Sequence, residues 1–108
     1  MEIEKALHYL KITADQYAKA KSEAEYLKEF RKSQKALLMI EAEQQGVKTV
    51  SERECYAYSH EEYLQLLDGL KEAIHESERL RIMVKTAEMQ IDVWKTNQMR
   101  NMSEMKLR

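Results

Sequence analysis

The most regular feature of the chain is a heptad in its second half. Tyr63, Leu66, Leu70, Ala73, Ser77, Leu80, Val84, Ala87, Ile91 and Trp94 follow one another at alternating spacings of three and four, and only Ser77 among them is polar. Such a repeat is the seam of a left-handed supercoil. It predicts a helix from residue 60 to about residue 98, about 58 Å long at 1.5 Å per residue. Beyond Trp94 the pattern lapses into Asn97, Asn101, Ser103 and three methionines, so residues 96–108 are expected to be a frayed tail that orders on a partner.

The first half is less regular. Ile3, Ala6, Leu7 and Leu10 predict a short amphipathic N-terminal helix. Thr13-Ala14-Asp15-Gln16 has the form of a capping box, at which a second helix starts or through which one helix runs. From Ala14 to Gln45 nothing interrupts, and Tyr17, Ala20, Ala24, Leu27, Phe30, Leu37 and Leu38 make one broad apolar stripe. Gly46 then predicts a C-terminal stop. Three more capping boxes follow, at Thr49 to Glu52, Ser51 to Glu54 and Ser59 to Glu62, with one short helical segment through Cys55 and Tyr58 between the long helices. The most economical arrangement is an all-α antiparallel hairpin of two long helices, coiled-coil-like, preceded by the short N-terminal helix.

Composition agrees. Ala, Glu, Lys, Leu and Arg supply 55 of the 108 residues, there is no Pro, and only two Gly interrupt the helix formers, which nearly excludes sheet. The length predicts a single domain over residues 1–108, and with 7% aromatic and 34% charged residues it fills no thick core. The stripes Leu27/Phe30/Leu38 and Leu66/Leu70/Leu80/Val84/Ile91/Trp94 are therefore expected to serve as core and oligomer seam, giving a homo-oligomer. Arg31 and Gln34 on the first stripe, and Ser77 on the second, are polar positions of the kind that fix register or oligomeric state. No secretory segment or membrane span is legible, and Cys55 is the only cysteine, so the expected setting is the cytoplasm, that of a host cell if the protein is phage-encoded.

The net charge of -1 conceals blocks of opposite sign. Residues 19–35 carry six basic and three acidic groups, residues 36–78 three basic and ten acidic, and residues 79–108 seven basic and three acidic. Within the first block Lys21, Lys28, Arg31, Lys32 and Lys35 share one side of a helix. Like charges so placed repel by a few tenths of a kcal/mol per pair, so the ridge points to an anionic ligand such as a nucleic-acid backbone. The same spacing also suits a solvated face on which Glu25 and Glu29 pair with Lys28 and Lys32. Tyr56 and Tyr58, beside Arg53, offer flat faces on which bases of a single strand would stack. His8, His60 and His75 have no helical metal-ligand spacing, and there is no glycine-rich phosphate loop. The expectation is a non-enzymatic protein without metal or cofactor.

The long helix with tyrosine and clustered lysines, from Asp15-Gln16-Tyr17 through Leu38-Met39-Ile40-Glu41-Ala42, then Arg53-Glu54-Cys55-Tyr56, then a second long helix, resembles the phage recombination-mediator family typified by UvsY over residues 14–95. The resemblance implies a homo-oligomer that binds single-stranded DNA and helps a recombinase load, with a recombinase or single-strand-binding protein as further partner and Arg53 followed by Tyr56 as the basic-aromatic segment. This chain has Ser51-Glu52 where that segment would carry a second basic residue. The alternative is a coiled-coil adaptor or structural phage protein that engages another protein through its charged ends.

Overall fold

The computed structural model describes residues 2–107. They form three helices and no strand: α1 (Ile3–Gln44), α2 (Val50–Ser59) and α3 (Glu61–Leu107). The fold is all-α, two long antiparallel helices joined by a short one. Contacts divide the described residues into two compact units. In the first, residues 2–19 pair with α3 from Ser77 onward; in the second, residues 20–76 bring together the rest of α1, all of α2 and the start of α3.

The seam of α3 is as the sequence predicts, since all ten of its positions from Tyr63 to Trp94 are buried or half-buried. Helix α1 answers it with a seam of its own. Ile3, Ala6, Leu10, Thr13, Tyr17, Ala20, Ala24, Leu27, Arg31, Gln34, Leu38 and Glu41 run at strict three-four spacing, and every one is withdrawn from solvent. Thr13 is 2% exposed, so it is a seam residue and not a helix cap, and the expected separate N-terminal helix does not exist. Four polar members hide this seam from a reading by hydropathy. Leu37, placed on the inner stripe by its neighbour Leu38, points outward at 58% exposure.

Helix α1 ends as Gly46 requires. Its φ of 91° lies in the left-handed region, and Gly46 N–H donates to Glu43 O at 3.1 Å while Val47 N–H donates to Ala42 O at 3.0 Å. These are the two hydrogen bonds of a Schellman ending, which satisfy otherwise orphaned carbonyls. Helix α2 starts at the expected Thr49, whose Oγ1 accepts the Glu52 N–H at 3.1 Å. Helix α3 starts one residue later than its capping box suggests. His60 Nδ1 accepts the Glu62 N–H at 3.1 Å, whereas the Ser59 hydroxyl turns back to donate to Cys55 O at 2.6 Å.

Ala42 and Ala57 have no exposed surface, and such small side chains let α2 lie close to α1. Leu38, Ala57 and Tyr63 form the core there, with Met39 and Leu67 against it. At the other end α3 remains helical to Leu107 in place of the expected frayed tail, although every described residue after Trp94 is exposed; Arg108 lies outside the described residues.

Candidate nucleic-acid interface

Lys21, Lys28 and Lys35 recur at seven-residue intervals on α1, so they line one flank of its seam, with Arg31 and Lys32 beside them. Of the two ion pairs that would neutralise this ridge locally, one forms: Lys32 Nζ lies 3.2 Å from Glu29. Among the described residues Lys21, Lys28 and Arg31 have no ion-pair partner.

Lys35 is held differently. Its Nζ is 3.6 Å from Glu54 on α2 and 4.7 Å from the centre of the Tyr58 ring. The hydrogen bond with Tyr58, and then the charge of Glu54, hold the Lys35 pKa above its ordinary value against the opposing effect of partial burial. The Tyr58 ring in turn meets Tyr63 edge to face, with ring centres 5.3 Å apart at 74°. Arg31, Lys32, Lys35, Tyr58 and Tyr63 together line an open cleft of about 460 Å³. Three cations and two phenol rings thus converge from α1, α2 and the first turn of α3.

Arg53 and Tyr56 do not join that cleft. Arg53 Nε donates to Val47 O at 2.8 Å and its Nη1 sits 3.8 Å from Glu43, so this guanidinium ties the α1–α2 connection together. Tyr56 packs against His60 with ring centres 5.5 Å apart and lies close enough to Glu41 and Gln45 for both to act on its phenol. Partial burial, and after it the Glu41 charge, push the Tyr56 phenol pKa up. His60 Nε2 lies 3.7 Å from the same Glu41, and Gln34 Nε2 donates to Glu62 at 3.0 Å. Arg53 and Tyr56, the expected basic-aromatic segment, thus belong to a polar brace, and of Arg53, Tyr56 and Tyr58 only Tyr58 reaches the cationic cleft.

One wall of the cleft and one partner of its lysine escape a linear reading. Tyr63 reads as a seam residue, and it is one, yet its ring also walls the cleft. Glu54 is 19 positions from Lys35 in sequence, and no local signal pairs them. Leu66, Leu70, Leu80, Val84, Ile91 and Trp94 occupy the α3 seam, and on α1 Leu27 and Leu38 lie in the seam while Phe30 is half-buried outside it. Among the described residues no group of His, Cys, Asp or Glu is arranged to hold a metal ion, and no helix is long and apolar enough to cross a membrane.

The chain matches no protein-family model, no curated protein and no solved structure.

Proposed function

We propose that this protein is a non-enzymatic, homo-oligomeric protein that binds single-stranded DNA, and that it serves as a recombination accessory handing the strand to a recombinase or receiving it from a single-strand-binding protein. The observation that carries the reading is the cleft where Arg31, Lys32 and Lys35 stand beside the rings of Tyr58 and Tyr63. Among the described residues Lys21, Lys28 and Arg31 have no counter-ion, so a phosphate backbone laid along them releases counterions without first breaking a protein ion pair. A base placed against Tyr58 gains stacking and lies within the field of Lys35. Because nothing in this arrangement reads base edges, binding is expected to follow the backbone and to tolerate sequence. Arg53 and Tyr56 have an indirect part, holding α2 so that Tyr58 faces α1.

The discriminating experiment is anisotropy of a fluorescent oligothymidine with Tyr58→Ala. Loss of stacking costs about 1–3 kcal/mol per base contacted and leaves the salt slope close to that of the parent. Unchanged affinity in the folded variant removes Tyr58, and with it the cleft, from the reading.

An adaptor role is favoured by a different observation. On α3, Met89, Val93 and Trp94, with Thr86, Gln90 and Asn97, make one largely apolar, solvent-exposed helix face of the kind that a partner helix covers. Val93→Glu separates the readings, since it abolishes capture of such a partner and spares oligonucleotide binding.

A further inference from the structure

Helix α1 carries a second seam. Tyr26, Phe30, Ser33, Leu37 and Ile40 follow at spacings of four, three, four and three, on the side of the helix away from Lys21, Lys28 and Lys35. Among the described residues no element covers this face. Tyr26 is 62%, Leu37 58% and Ile40 51% exposed, and only Phe30 is half-buried. Tyr26 and Phe30 are already stacked, with ring centres 6.0 Å apart and planes 13° from parallel, so part of the surface is ordered in advance. A heptad of this kind is the imprint of a packed helix, and loops or sheets do not require it.

We propose that this face docks the same face of a second copy, with the two α1 helices antiparallel about a two-fold axis at Ser33. The inference rests on the homo-oligomer of the proposed function and names its surface. The order of residues is what selects a copy of the same chain. Running the stripe backwards places Tyr26 level with Ile40 of the second copy and Phe30 level with Leu37 of the second copy, while Ser33 meets its own equivalent. Large side chains thus meet large ones on either side of a small residue that lets the backbones approach. This self-complementarity is the condition for an isologous interface.

The area is sufficient. The four large side chains leave on the order of 400 Å² exposed per copy, a sizeable apolar patch for a monomer surface, and with the rim of Ser22, Glu29 and Gln44 the total for two copies passes the roughly 1,000 Å² of a specific contact. The whole chain leaves 8446 Å² accessible, against about 6,300 Å² for a compact monomer of 12.8 kDa, so there is surplus surface for such a contact to remove. The dimer keeps both lysine ridges free and presents two in one particle, which raises apparent affinity for a strand long enough to reach both.

Light scattering of the full chain at tens of micromolar tests this, with Leu37→Glu and Tyr26→Glu as disrupting variants and Val50→Glu as an exposed apolar control off the stripe. The expected masses are about twice 12.8 kDa for the parent and for Val50→Glu, and 12.8 kDa for the two stripe variants, with helicity unchanged in all. A monomeric parent overturns the proposal, and so does a Leu37→Glu protein that stays dimeric. A Ser33→Cys, Cys55→Ser protein should form a disulfide-linked dimer on mild oxidation, and failure to do so while dimeric overturns the placement of the axis. Binding of a hexanucleotide that persists in monomeric Leu37→Glu shows that the cleft works alone, so the two proposals fail separately.

Discussion

The two glycines make opposite predictions for one chemical change. At Gly46 the backbone has φ of 91°, and a Cβ built there meets nothing within 4 Å. Any cost of Gly46→Ala is therefore backbone strain and not collision. Holding an L-residue in the left-handed region costs about 1–2 kcal/mol. The lower entropy of the unfolded alanine chain returns about 0.4–1 kcal/mol at best. The net effect is a loss of about 1 kcal/mol, with the Val47 N–H bond to Ala42 O weakened as the α1 ending relaxes. Gly69 lies inside α3 with helical φ, and a Cβ there also meets nothing within 4 Å. Gly69→Ala then gains the full helix-propensity difference, about 1 kcal/mol. The assay is urea unfolding followed by circular dichroism, at one fixed protein concentration because self-association shifts the midpoint. Opposite shifts at equal m-values are expected. A Gly46→Ala protein as stable as the parent would refute the assignment of that residue as a Schellman terminator.

Three further outcomes follow from the packing. Leu80→Ala, at a mid-seam position 4% exposed, should cost about 2–4 kcal/mol in the same assay, and a change under half a kcal/mol would mean that the seam is not packed. Thr49→Ala removes the acceptor for the Glu52 N–H and should cost about 1 kcal/mol, read as a lower thermal midpoint that Thr49→Asn does not share. Lys35 and Tyr56 both hold their protons more tightly folded than unfolded, so the stability they lend is fully present below their ordinary values of 10.5 and 10.0 and is lost as pH rises through the higher folded values. Urea midpoints should therefore hold up to about pH 10 and fall as the pH rises further, and Tyr56→Phe should flatten that fall.

What the sequence makes legible here depends on how many seam positions are apolar. In α3 nine of ten are, and the presence of the helix and its buried face are read correctly, though not its two ends. In α1 the seam passes through Thr13, Arg31, Gln34 and Glu41, and a threonine followed three residues later by glutamine mimics a helix start. Hydropathy therefore divides a helix that is continuous. Adjacent Leu37 and Leu38 are equivalent by composition, and only the phase of the buried seam assigns one inward and the other to the outer stripe. The cleft was half legible for the same reason. The α1 ridge follows from local spacing, whereas Lys35 meeting Glu54 and Tyr58, and Arg53 being spent on Val47 O and Glu43, are consequences of how α2 folds back.

The salt dependence of oligonucleotide binding decides whether the α1 ridge meets phosphate. Anisotropy of a labelled single strand, titrated from 50 to 200 mM salt, should show affinity falling linearly on logarithmic axes. Lys21→Gln, Lys28→Gln and Arg31→Gln should each lower the slope by about 0.7, the value for one single-strand phosphate contact released. Folded wild-type protein that shows no salt-sensitive binding at 50 mM, or variants that leave the slope unchanged, would contradict a phosphate-binding role for the ridge.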